Sequence, residues 1–378
     1  MVEERRRLRV MLLFGGRSAE HDVSRVTAVA VAKALDPERY EVVPVAISKD
    51  GRWLRADRAR EALDAGVDAL PAAFEVEGSS VEPSADPGRP SVIVRAGAVP
   101  EAVGIDVVLP LLHGPFGEDG TVQGLLELAG LPYVGAGVLG SAVAMDKIAM
   151  KRMLAAAGIP HAGYLAFRDG HDRTDFADRV EAELRLPCFV KPSNMGSSVG
   201  VSKAHDRIEL EEAIDLALEY DEWILAEEAI VGREIEVGVL GDDPPEASIA
   251  GEVVPGAEYY SYSDKYEDGS ARLLVPAELD AASAEAVRAL AVEAFDACRC
   301  EAMARVDFFY EESGAARGFL VNELNTIPGF TPISMYPRLW EASGVSYPAL
   351  IDRLIDQAIA RRDRRAGRAG RQRPGVAG

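Results

Sequence analysis

The chain has 378 residues, which is longer than a single hydrophobic core usually serves, so two or three domains are expected. Its 48% hydrophobic and 27% charged residues exclude a disordered chain and indicate a well-packed globular protein. With 62 acidic residues against 41 basic ones, the formal net charge of −21 argues against nucleic acid as the main partner.

The first part of the chain has the pattern of a parallel α/β domain. A strand, a glycine turn, a helix and a second strand follow one another, and ligands are expected at the carboxyl ends of such strands. Residues 66–100 are rich in Pro, Gly, Ser and Glu and predict a β-containing excursion or a long loop. His113 follows a strand at the ligand-facing edge, where a structural and a catalytic role are equally supported. The predicted elements are strands over 10–14, 40–47 and 105–112 and helices over 24–35 and from about 121.

A second domain is predicted to follow a helix over 141–157. In it a strand ends near Lys191, and the next loop, 193–200, combines glycines with hydroxyls that can close over phosphates. The loop is not a Walker A motif, because its lysine precedes it and no G-K-[ST] sequence ends it. A later strand turns acidic at Glu227 and Glu228, although a single glutamate of this kind is more often solvated surface. The predicted elements here are strands over 188–192 and 223–230 and a helix around 210–218.

Lysine is rare in this chain, and most basic residues are arginine. A lysine inside a motif therefore indicates that a compact point charge is needed, as around phosphates. Lys147, Lys191 and Lys265 lie in motif-like settings. The other four lysines are expected on ordinary helix or loop surface: Lys33, Lys49, Lys151 and Lys203.

The C-terminal part carries the strongest signal. Glu323 and Asn325 end a strand on the same face, because residues two apart on a strand point the same way. The upstream strand adds Asp307, beside the cation Arg305. Two carboxylates and an amide suit Mg²⁺, which usually keeps places for water and phosphate oxygens. The next run, NTIPGFTP, can offer backbone N–H groups to a ligand, so we predict a nucleotide-phosphate clamp. Acidic residues that merely solvate a strand end would explain Asp307 alone.

Cysteine usage and hydropathy favour a cytoplasmic protein. The three cysteines, Cys188, Cys298 and Cys300, are an odd number, and the last two are too close to suggest a structural disulfide. No apolar run reaches the length of a membrane span, and no signal peptide is expected at the N-terminus.

Eight motifs follow one another along the chain: GGRSAEHDVS, HGPFGEDGTVQG, MDK, VKPSNMGSSVG, EE ahead of GRE, DKY, ARVDF and NELNTIPGFTPISMYP. In this order they resemble the D-alanine:D-alanine ligases of the ATP-grasp superfamily, from about Val10 to Ile359. The resemblance implies an α/β and α+β, three-domain ATP-grasp fold with an N-terminal parallel α/β domain. The boundaries implied are 1–136 for the N-terminal substrate domain, 137–228 for the central ATP-grasp domain, 229–360 for the C-terminal ATP-grasp domain with lid and metal site, and 361–378 for a disordered basic tail.

The resemblance also implies the nucleotide and metal residues. Lys147 and Lys191 would hold the ATP phosphates, Glu227 and Glu234 would contact adenine and ribose, and Lys265 would reach the transferred phosphate. Ser198 and Glu228 are implied at the ATP site as well. Two Mg²⁺ or Mn²⁺ ions would be bound by Asp307, Glu323 and Asn325.

The substrate residues are implied in the same way. Glu20 would receive the ammonium of the first D-alanine, in a hydrogen-bonded group with Ser197 and Tyr266. Arg305 and the Gly329 N–H would form the oxyanion site. The remaining substrate contacts are implied at Ser334, which would take the carboxylate of the second D-alanine, and at His113 and Met335.

The activity implied is ATP-dependent ligation of two D-alanine molecules through a D-alanyl phosphate, for peptidoglycan synthesis, by a homodimer with a lid over 259–271. A D-alanine–D-lactate or D-alanine–D-serine ligase would use the same ATP site, but Tyr266, after the lid lysine, favours the dipeptide. A catalytically silent ATP-binding protein would be marked by loss of a metal ligand or of Arg305, and all of these are present. A nicotinamide-dependent oxidoreductase would need a dinucleotide fingerprint, which the sequence lacks.

Overall fold

The structure is a computed structural model, and it describes residues 6–368 apart from 85, 87, 98, 257–271 and 313–316. Within these residues the strands are β1 (Leu8–Gly15), β2 (Tyr40–Ile47), β3 (Trp53–Ala56), β4 (Gly78–Pro83), β5 (Ser91–Arg95), β6 (Glu101–Gly104), β7 (Val107–Pro110), β8 (Tyr164–Arg168), β9 (Cys188–Pro192), β10 (Ser202–Ala204), β11 (Trp223–Glu228), β12 (Arg233–Leu240), β13 (Glu246–Val254), β14 (Arg272–Leu274), β15 (Met303–Glu311) and β16 (Gly318–Asn325). The helices are α1 (His21–Ala34), α2 (Asp57–Asp64), α3 (Thr121–Leu128), α4 (Val138–Met145), α5 (Lys147–Ala156), α6 (Arg173–Arg179), α7 (Arg207–Leu218), α8 (Ala281–Ala297), α9 (Met335–Ala342) and α10 (Tyr347–Ala366), with a 3-10 turn at Val67–Ala69 and a π-helical turn at Val180–Leu184.

The first sheet has the strand order β6-β5-β4-β3-β2-β1-β7. Strand β1 runs parallel to both β2 and β7, so the predicted parallel core is confirmed. Residues 66–100 contribute β4 and β5, which extend this sheet in antiparallel fashion. The carboxyl ends of β1 and β7 lie side by side at Gly15 and Pro110, and the segments with Glu20 and His113 begin there.

The second sheet has the order β10-β9-β11-β8 and is antiparallel throughout. Lys191 pairs with Leu225, and Glu227 pairs with Phe189. Since alternate residues of a strand share a face, Lys191 and Glu227 are diagonal neighbours on one face of the sheet. Helices α6 and α7 pack on this sheet through a core that includes Phe176.

The helix predicted over 141–157 is two helices, α4 and α5, separated by Asp146. Asp146 has an extended backbone, and its Oδ1 accepts hydrogen bonds from the Ala149 N–H at 2.8 Å and from the Ser193 hydroxyl at 2.8 Å. Aspartate favours this N-cap position because its side chain satisfies a free helical N–H. The break directs the start of α5 at the loop that follows β9.

The third sheet has the order β14-β13-β12-β15-β16. Its strands are antiparallel, and α8 covers one face through a core that includes Phe295 and Phe308. Helix α9 packs on the other side, where the Tyr336 hydroxyl donates to the Val239 carbonyl at 2.9 Å.

The last helix, α10, joins the N-terminal sheet to the C-terminal region. Its residues Leu354 and Ile355 share one apolar core with Val10 and Phe14 of β1. Helix α10 continues to Ala366, so the expectation of a disordered chain from residue 361 is wrong for the residues up to 366. The physical reason is that the first arginine of the basic run is buried and paired, which composition does not reveal; residues 369–378 lie outside the described residues.

Among the described residues, no helix combines the length and the apolar character needed to cross a bilayer.

Candidate active site

The predicted metal ligands lie together at the end of the third sheet. The antiparallel register places Asp307 of β15 directly opposite Glu323 of β16, and Arg305 opposite Asn325. The Asn325 side-chain N–H donates to Asp307 Oδ2 at 2.9 Å. Glu236 of β12 pairs with Asp307 on its other side, so three carboxylates form one row across three strands. Sequence reasoning missed Glu236, although its place two residues after Glu234 on a strand was a usable signal.

Arg305 is held within this acidic row. Its Nε and Nη2 donate to the two oxygens of Asp307, both at 2.7 Å, and its Nε lies 3.0 Å from Glu236 Oε2. Burial alone would lower the pKa of the Arg305 guanidinium, but Asp307 and Glu236 raise that pKa well above its usual value. The side chain therefore stays cationic in a fixed orientation.

The donor set fits a divalent cation. No three His, Cys, Asp or Glu side chains of the described residues converge as a metal-binding group. A site here would instead combine the carboxylates of Asp307 and Glu323 with the amide oxygen of Asn325. Oxygen donors that leave positions for water and phosphate suit Mg²⁺ or Mn²⁺.

Two lysines converge on the buried carboxylate of Glu227. Lys151 of α5 pairs with Oε1, and Lys191 of β9 pairs with Oε2. Burial favours the neutral acid, but the ammonium groups of Lys151 and Lys191 lower the pKa of Glu227 to about 2. Lys151 was expected on the helix surface, and this expectation is wrong, because its side chain is 1% exposed. Its position one helical turn after Lys147 was the signal that could have found it.

The predicted phosphate loop, 193–200, is held by the first turn of α5. The Lys147 N–H donates to the Ser193 carbonyl at 2.9 Å, and the Lys147 Nζ donates to the Met195 carbonyl at 2.6 Å. Ser197 and Ser198 both have left-handed backbones, with φ of 52° and 58°. Such conformations are costly for residues other than glycine and are concentrated at ligand-binding loops.

Glu228 has partners immediately before two strands, β8 and β16, which belong to different sheets. Its Oε1 accepts from the Gly163 N–H at 2.6 Å and from Arg317 Nη1 at 2.6 Å. The carboxylate therefore links β11 to the start of β16, while Glu227 faces the lysines. Glu234, the predicted ribose contact, lies on β12 opposite Phe309.

The predicted ammonium site lies between the first two sheets. Glu20 and Ser197 line one cavity of about 410 Å³, together with Arg17, Phe116 and Tyr220. The structure therefore brings together two members of the predicted hydrogen-bonded group. The third member, Tyr266, lies outside the described residues, as do Lys265 and the proposed lid over 259–271.

A loop of the N-terminal domain holds the segment that follows Asn325. His113 Nδ1 lies 2.9 Å from the Ile327 carbonyl, which makes Nδ1 the donor, and its buried Nε2 has no hydrogen-bond partner among the described residues. Glu118 accepts from the Gly114 N–H at 2.7 Å and from the Ile327 N–H at 3.1 Å. Burial and the nearby Glu20 raise the pKa of Glu118 to about 8. Sequence reasoning missed Glu118 as a site residue, although it lies inside the HGPFGEDG motif.

The predicted oxyanion and carboxylate contacts are neighbours. A side chain at Gly329 would lie 3.2 Å from Ser334 Oγ, so the two residues are close in space. The Ser334 hydroxyl is also 2.8 Å from that of Thr331. The side chain of Met335 is buried against Leu339, so a substrate contact of Met335 falls to its backbone N–H in the first turn of α9.

Comparison with known proteins agrees with this geometry. The model of the "D-ala D-ala ligase N-terminus" matches residues 9–136, and that of the "D-ala D-ala ligase C-terminus" matches residues 153–356. The D-alanine–D-alanine ligase of Geobacillus kaustophilus is 47% identical over 356 residues, which cover 93% of this chain and 95% of that protein. This chain belongs to the D-alanine–D-alanine ligase family.

Solved structures extend the likeness to this family's fold. The D-alanine–D-alanine ligase of Coxiella burnetii superposes with a TM-score of 0.80 at 34% identity, over 95% of this chain and 96% of that one. The VanG D-Ala:D-Ser ligase of Enterococcus faecalis has a TM-score of 0.81 at 32% identity, over 93% and 100%. The D-alanine–D-alanine ligase of Bacillus anthracis complexed with ATP has a TM-score of 0.69 at 26% identity, over 95% and 99%. The predicted ATP-grasp fold of this ligase-family chain is thereby confirmed.

Proposed function

We propose that this protein uses ATP to join two D-alanine molecules into D-alanyl-D-alanine, a peptidoglycan precursor, through a D-alanyl phosphate. The observation that supports this most is the pair of contacts from His113 and Glu118 to Ile327. They hold the backbone between the proposed metal ligand Asn325 and the proposed oxyanion donor Gly329. The proposed substrate and nucleotide sites therefore share one immobilised segment.

In the first step, a carboxylate oxygen of the first D-alanine bonds to the γ-phosphorus of ATP. The bond from that phosphorus to the β–γ bridging oxygen breaks, and ADP leaves. Glu20 binds the D-alanine ammonium as an ion pair, which orients the carboxylate toward the phosphate. Lys147, Lys191 and Ser198 hold the phosphates, and the lid lysine, Lys265, reaches the group that is transferred.

The metal ligands of this proposal are Asp307, Glu323 and Asn325, which would hold Mg²⁺ or Mn²⁺. When bound, such ions neutralise phosphate charge during the transfer. The cross-strand pairing of Asp307 with Glu323 supports this assignment, because it supplies two adjacent carboxylates at the strand ends.

In the second step, the free amine of the second D-alanine bonds to the carbonyl carbon of the acyl phosphate. The tetrahedral intermediate carries a negative oxygen. It collapses when the carbon–oxygen bond to the phosphate breaks, and the phosphate leaves with the proton lost by the amine. Arg305 and the Gly329 N–H stabilise that oxygen, and Ser334 takes the carboxylate of the second D-alanine. Donors aimed at developing charge contribute about 10²-fold or more each.

The direct experiment is incubation of the full chain with ATP, Mg²⁺ and D-alanine, with phosphate and dipeptide both measured. We expect one phosphate per D-alanyl-D-alanine and little phosphate without D-alanine. Phosphate release that does not depend on D-alanine, or a failure to form dipeptide, would contradict the proposal.

The second substrate is tested by competition, because one structural neighbour is a D-Ala:D-Ser ligase. With D-alanine, D-serine and D-lactate present together, we expect D-alanyl-D-alanine to dominate, as Tyr266 favours. A dominant D-alanyl-D-serine or D-alanyl-D-lactate product would assign the second site to the alternative.

The cellular setting belongs to the same proposal. We propose a cytoplasmic protein, because its substrate would be ATP and its cysteines are free thiols, as is usual in a reducing compartment. The three cysteines are buried: Cys188, Cys298 and Cys300. We also propose a homodimer, for which light scattering of the purified chain is the test.

A further inference from the structure

Lys151 is a buried lysine that no step above uses. Burial lowers the pKa of its ammonium group, and the charge of Glu227 opposes that shift. Its side chain is 1% exposed, and that of its partner Glu227 is 2% exposed. Lys147 and Lys151 are four residues apart on α5 and therefore share a face. Lys147 reaches the Met195 carbonyl at 2.6 Å, while Lys151 reaches Glu227. One helix thus holds both the phosphate loop and a carboxylate of β11.

The two lysines on Glu227 differ in what else they can reach. Lys191 is 12% exposed and immediately precedes the phosphate loop, whereas Lys151 is enclosed beside the Tyr164 ring, 5.7 Å from its centre. Lys151 binds Oε1 and Lys191 binds Oε2. When Lys191 turns to a phosphate, Lys151 remains as the partner of the buried carboxylate. A buried charge without such a partner is strongly disfavoured.

The protonation state of Glu227 decides what it can recognise. An ionised carboxylate only accepts hydrogen bonds, whereas a protonated one can also donate. The 6-amino group of adenine donates, but the 6-oxo group of hypoxanthine only accepts. An acceptor facing the 6-oxo group places lone pair against lone pair and rejects that base.

We propose that Lys151 is a positioning residue that fixes Glu227 as an acceptor and thereby selects a 6-amino purine nucleotide over a 6-oxo one. This inference rests on the proposed function, in which Glu227 contacts adenine. The low pKa of Glu227, about 2, agrees with it.

The experiment compares ATP with ITP, which differs from ATP at the purine 6-position. The readout is kcat/KM for each nucleotide with saturating D-alanine, in wild type, Lys151→Met and Lys151→Arg. We expect Lys151→Met to lower the ratio of kcat/KM for ATP to kcat/KM for ITP, the ATP-to-ITP ratio, by about tenfold or more. This is the effect expected from losing one charge-assisted hydrogen bond to the base. Lys151→Arg retains the cation and should recover most of the ratio. The KM for D-alanine should not change in these variants. Lys33→Met, which removes an exposed lysine of α1, is the control and should leave the ATP-to-ITP ratio unchanged.

Glu227→Gln separates failure of this inference from failure of the proposed function. In this variant Lys151 would hold the amide oxygen, so the amide N–H groups face the base and the ratio should shift toward ITP. An unchanged ratio in Glu227→Gln would show that Glu227 does not contact the base. A shift in Glu227→Gln with no change in Lys151→Met would overturn the role of Lys151 alone.

A double variant keeps the test open if Lys151→Met does not fold. Lys151→Met/Glu227→Gln removes both buried charges, and the amide is free to rotate. We expect its ATP-to-ITP ratio to move back toward ATP relative to Glu227→Gln. Equal ratios in the single and double variants would overturn the inference.

Discussion

At the residue scale, the site is built from charged side chains that are buried and tied to a few partners. Glu118 shows the electrostatic consequence, since it accepts two backbone N–H groups and yet has a pKa of about 8. Desolvation and the neighbouring Glu20 raise this pKa by more than the two hydrogen bonds lower it. The folded state therefore favours protonated Glu118 more than the unfolded chain does.

The pH dependence of stability follows from this shift. Because the folded pKa of about 8 exceeds the ordinary 4.5, the contribution of Glu118 is fully present below about pH 4.5 and is lost as pH rises toward 8. The free energy of unfolding of wild type relative to Glu118→Gln, which cannot ionise, should fall by a few kcal/mol between these limits. Denaturant titrations across this range measure it, with Glu219→Gln, at an exposed glutamate, as control. A pH-independent difference would contradict the assignment.

Glu323 tests the metal site. Glu323→Gln keeps the size of the side chain but removes the charge opposite Asp307, so dipeptide synthesis should be abolished while the fold is retained. The measurements are turnover as a function of Mg²⁺ and the far-UV circular dichroism spectrum. Near-normal turnover at saturating Mg²⁺ would remove Glu323 from the ligand set.

Arg305 tests the oxyanion site. Since its charge is needed mainly when the oxyanion forms, Arg305→Ala should lower kcat about 10²-fold and change the KM for ATP much less. Both constants come from steady-state kinetics, with thermal unfolding as a check because the variant removes a cation that pairs with Asp307 and Glu236. A raised KM for ATP with unchanged kcat would reassign Arg305 to the nucleotide.

At the element scale, the β15–β16 hairpin carries the proposed metal ligands and is tied to the second sheet. Arg317, near the start of the β16 strand, donates to Glu311 of β15 and to Glu228 of β11. Glu228 is adjacent to Glu227. Arg317 therefore ties the hairpin to the residue next to Glu227, the carboxylate that we propose contacts adenine.

Arg317→Ala should affect nucleotide binding more than stability. The ion pair between Arg317 and Glu228 is partly exposed, with 41% of the Arg317 side chain and 27% of the Glu228 side chain accessible to solvent. Its contribution to the free energy of unfolding is therefore expected to be at most about 1 kcal/mol. The KM for ATP should rise up to about fivefold, while the KM for D-alanine is unchanged and Arg317→Lys recovers part of the loss. Arg95→Ala, which breaks an exposed arginine pair with Glu82 on the first sheet, is the matched control. Equal effects of the two alanine variants on the KM for ATP would contradict this role.

At the scale of the whole molecule, α10 joins segments that are far apart in the chain. Arg361 donates to the carbonyls of Gly135 at 2.8 Å and Tyr133 at 2.7 Å, and lies 3.4 Å from Glu301. Tyr133 and Gly135 precede the proposed boundary between the first two domains. One buried arginine thus connects that junction to the C-terminal region.

Arg361→Met should destabilise the fold. It leaves the carbonyls of Tyr133 and Gly135 without this donor and removes one of the two arginines beside Glu301, the other being Arg365. The expected cost is about 2 to 4 kcal/mol in the free energy of unfolding. Chemical denaturation measures the effect. Arg362→Met is the neighbouring control, since that side chain is 45% exposed and pairs with the adjacent Asp363. A loss no larger than that of the control would show that Arg361 does not join the two regions.

The local sequence pattern was sufficient to predict several strands and the placement of the proposed metal ligands. The strand Cys188–Pro192 has the predicted bounds, and the two-residue spacing of Glu323 and Asn325 places both at the end of β16. These features depend on the periodicity of neighbouring residues, which any single sequence contains. The order of the motifs likewise sufficed to predict the ATP-grasp fold and the ligase family.

Only the tertiary structure decided which charges are buried and what neutralises them. Glu118 meets Ile327 across 209 residues, and Arg361 meets Tyr133 across 228. The sequence predicted Lys151 as surface and the run from Arg361 as a disordered tail, because charged residues are usually solvated. A buried charge is stable only where the fold supplies its partner, and local periodicity contains no information about a partner from a distant element.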